Sequence, residues 1–344
     1  MINLVQFPGL GLSLHINRVA ISLGGFNIYW YGIILAAGLM GGLLFAFRYG
    51  PDFGIDTDRM VDVVVIGTVM AIVCARIYYV AMAPFQYQSL WEMIDLRNGG
   101  IAIYGALIGA FVFGGLACKW RKIPLLQMFD LVAMGFLIGQ GIGRWGNFVN
   151  QEAFGCNTTL PWGMYSEATK SYLAANAASL AAQGMTVDPT MPVHPTFLYE
   201  SLWCFAGLFM LFRFMKKRCF HGEIFLLYAV WYGCGRFWIE GLRTDSLMLS
   251  AALNLRASQL VAAVSVIAAL ALEIHFRRIY RKAPMMVNLA VADLNAYAKA
   301  FPDGMGAKAL PASASHAEFV QKTKEWNREI QEKAKSADSA QAEE

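Results

Sequence analysis

Long apolar runs alternate with short polar breaks along this chain, and the runs are too long for the strands or amphipathic helices of a water-soluble domain. A membrane-crossing helix needs about 20 predominantly apolar residues, because each residue rises ~1.5 Å against a hydrocarbon core ~30 Å thick. Stretches of this kind occur at residues 27–47, 60–83, 101–118, 125–143, 196–215, 223–241 and 257–276. The pattern predicts an all-α polytopic membrane protein with seven transmembrane helices, the fourth and sixth less apolar than the rest. The longest break, residues 147–194, has an Ala-rich helical middle from Ser171 to Ala182 and an exit marked by Pro189, Pro192 and Pro195. It reads as a small external subdomain.

The ends differ from the middle. Residues 1–26 lack a basic region ahead of an apolar core and contain Pro8, so they read as an external arm on the membrane surface rather than a cleaved signal peptide. Beyond residue 282, Phe319, Thr323, Trp326 and Ile330 fall at helical spacing among charges, which predicts an amphipathic helix after a flexible linker. The chain thus divides into an arm (1–26), a membrane body (27–282) and a soluble tail (283–344).

Composition sharpens this division. Charged residues make up 15% of the chain and hydrophobic ones 57%, whereas an ordinary soluble domain carries roughly 25% charge. A soluble globule, a disordered chain and a nucleic-acid binder are excluded. Basic residues also fix an orientation, since Lys and Arg accumulate on the cytoplasmic side. One side collects 13 of them, including Lys119, Arg121, Lys122, Lys216, Lys217 and Arg218, and the other side six. The N-terminus is expected outside and the C-terminus in the cytoplasm. The six cysteines show no CxxC spacing, which argues against a disulfide framework or a zinc site.

An ionisable residue within a span is costly and normally faces a cavity and a partner, so it points to function. Arg76 and Arg236 lie inside spans. In the sixth span Tyr232, Arg236, Glu240 and Arg243 are separated by four, four and three residues, which places them on one helical face. Arg236 and Glu240 neutralising one another would explain that pair alone. Two arginines flanking one glutamate leave positive charge for an anion. The fourth span ends in Arg144, Asn147, Asn150 and Glu152, after glycines 139, 141, 143 and 146 that admit a close neighbour. A snorkelling interfacial arginine would not account for two asparagines and a glutamate after it. Segments opening with Tyr31, Tyr104 and His194 approach the same layer, and Gly105 with Gly109 form a small packing face. Arg256 falls in an external loop without a motif.

The segments WYG (30–32), GGIAIYG (99–105), GRWGNFVNQEAFG (143–155), HPTFLYE (194–200) and YGCGRFWIEGLR (232–243), in this order within residues 1–280, resemble the prolipoprotein diacylglyceryl transferase family. That resemblance implies transfer of the diacylglyceryl group of phosphatidylglycerol to the lipobox cysteine of a prolipoprotein signal peptide, with a thioether formed and glycerol phosphate released. It implies Arg144 and Arg236 as the essential arginines holding the phosphoglycerol head. Tyr31, Asn147, Asn150, Glu152, Gly155, Tyr232, Glu240 and Arg243 match the other site positions, and His194 joins them as a substrate-binding residue. Many members carry histidine, cast as the base, where this chain has Tyr104. Tyr104 is therefore a catalytic candidate whose role differs. The expected partners are phosphatidylglycerol, the prolipoprotein and membrane lipid; neither a metal nor a cofactor is required. The rival reading is an organic-anion transporter, which would call for repeated halves and helices broken near the midplane.

Overall fold

The computed structural model describes residues 2–24, 26–83, 87, 89–95, 99–218, 220–244, 248–250, 255–280 and 316–342. Its helices are α1 (Trp30–Tyr49), α2 (Thr57–Ala81), α3 (Leu90–Ile94), α4 (Ile103–Arg121), α5 (Leu125–Asn150), α6 (Glu167–Ala182), α7 (Thr196–Phe214), α8 (Glu223–Leu242), α9 (Ala257–Tyr280) and α10 (His316–Ala342). Among the described residues, six segments are long and apolar enough to cross a membrane: Trp30–Phe53, Thr57–Ala81, Ile103–Arg121, Leu125–Asn150, Thr196–Lys217 and Ala257–Arg278. The sixth apolar stretch also folds as a helix of 20 residues, α8, but Arg236 and Glu240 within it lower its hydropathy. The chain forms two compact units, one of residues 1–46 and 132–282 and one of residues 47–131 and 283–344.

In the first unit the arm departs from an all-α chain. Leu12–Asn17 (β2) alternates apolar and polar side chains, the period of a half-buried strand, and Ile2–Phe7 (β1) does so except at the adjacent Leu4 and Val5. They pair antiparallel from Ile2↔Asn17 to Phe7↔Leu12, around a turn that Gly11 closes at φ 64°. A second hairpin joins Val19–Leu23 (β3) to Phe26–Tyr29 (β4). β1 also pairs with Tyr165–Ser166 (β5), directly before α6, which starts on a capping box between Ser166 and Thr169. The arm is thus a strand partner of the loop after α5 rather than a lone surface segment. Val5, Phe7, Phe148, Phe154, Met164, Leu173, Leu180, Val193 and Phe197 close over one another as the core of this region. α1 and α5 approach through glycine, since a Cβ on Gly38 would lie 3.2 Å from the carbonyl oxygen of Gly139.

In the second unit α2 begins on Asp56, whose carboxylate accepts from the Asp58 and Arg59 amides. α4 lies directly on α2, and the expected small face does this: a Cβ on Gly105 would sit 2.4 Å from the Cys74 carbonyl oxygen. Arg76 points into the loop between them. Its Nε donates to Met93 O at 2.7 Å, Nη1 to Gly99 O and Gly100 O at 2.8 Å, and Nη2 to Glu92 O at 2.8 Å. The tail helix α10 buries Trp326, Ile330 and Ala334, the spacing of one helical face. The linker, residues 283–315, and the side chains of Phe319 and Thr323 lie outside the described residues, as do Arg97, Cys219 and Asp245.

Candidate active site

Three helices of the first unit converge on one carboxylate. Glu200, in the first turns of α7, is only 6% exposed. Arg144, in the last turns of α5, forms an ion pair with it, Nη2 to Oε2 at 2.6 Å, and Arg243, just past α8, donates from Nη1 to Oε1 at 3.4 Å. Arg236 of α8 forms an ion pair with Glu240, Nη2 to Oε2 at 2.6 Å, and brings Nη1 within 3.9 Å of Glu200 Oε2. The four-residue spacing read from the sequence therefore does pair Arg236 with Glu240. A carboxylate has two oxygens with which to order guanidinium forks, and this one is shared among three arginines.

A second branch runs from Arg144 through amides. Its Nη1 reaches Asn147 Oδ1 at 3.5 Å, and the Asn147 and Asn150 side-chain amides donate to Glu152 Oε1 at 3.0 and 3.3 Å. Glu152 is exposed, on a turn where Gln151 and Ala153 both take positive φ, 54° and 55°. Left-handed backbone at two non-glycine residues is sparsely populated, so this turn is held by its surroundings. Part of the hold comes from the arm: Arg18 Nη2 donates to the Asn150 carbonyl at 2.5 Å. Thr196 Oγ1 contributes another bond, to the Ala153 carbonyl.

The remaining candidates flank this network. Tyr31 packs on Gly146, where a Cβ would lie 2.8 Å from its ring. Gly155 sits where a Cβ would meet the His194 Cβ at 2.7 Å and the Leu242 carbonyl at 3.0 Å, so only glycine lets these segments close. His194 Nδ1 lies 3.1 Å from the Tyr199 hydroxyl, which accepts from Trp162 Nε1 at 2.7 Å. Burial holds the imidazole below its ordinary pKa of 6.5. Tyr232 stacks on Tyr228 at 5.7 Å between centroids, and the Tyr228 hydroxyl accepts from Gln140 at 2.9 Å. Tyr104 belongs to the second unit, 67% exposed at the start of α4, with its ring 6.4 Å from that of Tyr78.

The sequence reading overlooked the hub. Glu200 closes the HPTFLYE segment, and a carboxylate one turn into an apolar span carries the same signal as an intramembrane arginine. Arg256, read from the sequence as a loop residue without a motif, is 6% exposed, donates from Nη1 to the Arg243 carbonyl at 3.0 Å and from Nη2 to Met185 Sδ at 3.5 Å.

The family described as prolipoprotein diacylglyceryl transferase matches residues 18–275. The phosphatidylglycerol--prolipoprotein diacylglyceryl transferase of Bacillus cytotoxicus is 44% identical over 242 residues, 70% of this chain and 86% of that protein. The protein of the same name from Bacillus cereus is 45% identical over the same span, again 70% of this chain and 86% of the relative.

Proposed function

This chain belongs to the prolipoprotein diacylglyceryl transferase family, and from that premise we propose how its own residues carry out the transfer. It is a multi-pass membrane enzyme that moves the diacylglyceryl group of phosphatidylglycerol to the lipobox cysteine of a prolipoprotein. The cysteine thiolate attacks the glycerol carbon that bears the phosphate, the carbon–oxygen bond breaks, a thioether forms, and glycerol phosphate leaves with that oxygen.

Arg144 and Arg236 grip the phosphate. The observation that carries this reading is their meeting at Glu200 from different helices with part of each guanidinium open, at 20% and 25% side-chain exposure. Preorganised guanidiniums neutralise the charge that grows on the leaving group without reorganising at the moment of reaction. Glu200 and Glu240 hold the forks in place, Arg243 ties α8 to the same carboxylate, and Asn147, Asn150 and Glu152 face the head-group hydroxyls. Gly155 keeps the rim closed against His194, and Tyr31 and Tyr232 wall the lipid. A free thiol titrates near ~8.5, and the arginine field favours its thiolate. Tyr104 then serves by donating a hydrogen bond that orients the substrate.

The same proposal takes α8 as a seventh span, residues 147–194 as an external subdomain joined by the arm, and residues 283–344 as cytoplasmic, supported by the 13-to-six distribution of basic residues. Cysteine labelling from each side tests that topology; labelling of the tail from outside overturns it. The activity test combines the purified protein, phosphatidylglycerol vesicles and a lipobox peptide. The peptide gains the mass of one diacylglyceryl group, and no gain occurs with phosphatidylethanolamine alone. An unmodified peptide in the presence of phosphatidylglycerol overturns the reading.

A further inference from the structure

α7 and α8 are joined by a reciprocal pair of tryptophans. The rings of Trp203 and Trp231 stack with centroids 4.4 Å apart and planes 17° from parallel. Trp203 Nε1 donates to the Trp231 carbonyl at 2.9 Å, and Trp231 Nε1 donates to the Trp203 carbonyl at 2.8 Å. Each ring also covers a glycine of the opposite helix. A Cβ on Gly207 would lie 2.4 Å from Trp231 Nε1, and one on Gly235 would lie 2.2 Å from Trp203 Nε1.

Stacked rings alone tolerate sliding. Two hydrogen bonds to main-chain carbonyls do not, because those carbonyls are fixed in the helices and a slip of one residue, ~1.5 Å, moves both acceptors out of reach. Within lipid no hydrophobic effect draws helices together, so small residues and interhelical hydrogen bonds decide how they meet. The latch lies beside the site: Trp203 is one turn beyond Glu200 on α7, and Trp231 lies five residues before Arg236 on α8. Trp238 packs edge-on against Trp203 at 6.0 Å and stacks on Tyr199 at 6.2 Å, so the aromatic contact continues up to the residue adjoining Glu200.

We infer that Trp203 and Trp231 are positioning residues which set the register of α8 on α7 and so the reach of Arg236 to the anion it shares with Arg144. This rests on the reading that Arg236 grips the leaving phosphate. A misplacement of about 1 Å is enough to cost on the order of 100-fold in rate.

Trp203→Phe and Trp231→Phe keep a ring and remove the donor. Each is placed in the wild-type chain and in the Arg236→Lys chain, in nanodiscs containing phosphatidylglycerol. Measured are kcat, KM for the lipid, the thermal midpoint, and the distance distribution between spin labels on the exposed Phe209 and Phe237. The expected result is a kcat about 10-fold lower or more, a midpoint within a few degrees of wild type, a shifted or broadened spin-label distance, and less than about two-fold further loss in the Arg236→Lys background. Gly207→Ala, which displaces the Trp231 ring and keeps its donor, gives the same pattern if a Phe variant fails to fold. Wild-type turnover in the folded variants, an unchanged label distance, or an equal loss in the Arg236→Lys background overturns the inference. A wild-type protein that transfers nothing strikes the functional reading instead, and the label distances then decide on the latch.

Discussion

Arg144 on α5 and Glu200 on α7 meet at 2.6 Å, and the carboxylate side chain is only 7% exposed. The pair ties two helices at the point where the candidate chemistry lies. Removing the negative charge leaves Arg144 and Arg243 facing a neutral group in a largely dehydrated place, a loss that typically costs about 3–5 kcal/mol. Glu200→Gln is therefore expected to lower the thermal midpoint and reduce transfer at least about 10-fold, with Glu200→Asp intermediate. Differential scanning fluorimetry and the peptide mass assay read both; an unchanged Gln variant would return Glu200 to a bystander.

Lysine keeps the charge of arginine but not its planar fork, so it cannot hold two phosphate oxygens at once. Arg144→Lys and Arg236→Lys should each lose about 100-fold or more in transfer rate, the scale of removing one preorganised donor, while membrane insertion is unaffected. Near-normal turnover in either would assign that arginine a structural role.

Arg256→Lys is expected to be harmful. The buried guanidinium supports the Arg243 carbonyl, and a lysine offers one point of contact in place of several. A loss of roughly 3- to 10-fold in transfer is expected, the scale of about one buried hydrogen bond. Activity equal to wild type would show that the 255–257 segment carries no such support.

Tyr104 distinguishes two accounts of thiol activation. A phenol near ~10 is a poor base at neutral pH, and an imidazole near ~6.5 a better one. Tyr104→Phe should reduce transfer moderately, by about 10-fold, and Tyr104→His should retain substantial activity. The check is the pH–rate profile of both. A Phe variant as inactive as Arg144→Lys at every pH would make the phenol indispensable and defeat activation by the arginine field.

His221 provides a pH dependence of stability. Burial, aided by Arg218, pushes its imidazole down to about 3 from 6.5. The folded chain stays neutral there while the unfolded chain takes up a proton, so stability falls as pH drops below 6.5 and goes on falling toward 3. Each pH unit in that window removes about 1.4 kcal/mol, close to 2 kcal/mol by pH 5. His221→Gln should lack this component, so its unfolding free energy should decline less than that of wild type between pH 7 and 5. Parallel declines would contradict the burial of a neutral imidazole.

What the sequence discloses follows from range. The seven apolar stretches are local runs, and each folds as a helix close to the expected limits, six of them in segments long and apolar enough to cross a membrane. Arg236 with Glu240 is local too, and the pairing weighed from their spacing is found; Asn147 and Glu152, read only as crowded into one stretch, also meet within it. Glu200 is legible as a charge in an apolar run, but its three-arginine company exists only after α5, α7 and α8 meet. The reciprocal bonds of Trp203 and Trp231 are likewise invisible in one dimension, because each indole reaches a main-chain carbonyl on another helix. The strands of the arm went unread for a different reason: β2 alternates over only six residues and β1 breaks its alternation at Leu4 and Val5, a short signal beside the longer apolar runs.

Arg76 has a bearing on how the protein is made. Its guanidinium is satisfied by carbonyls that follow it in the chain, at residues 92–100, so during synthesis the cation emerges before its partners do. A helix α2 released singly into lipid would carry a bare charge, at a cost of ~2.5–3.5 kcal/mol near the bilayer centre. The favoured order of biogenesis keeps α2 at the insertion machinery until the loop and α4 have been synthesised, and then releases the hairpin together. Slowing translation just after residue 83 would lengthen the interval in which that charge has nothing to hold.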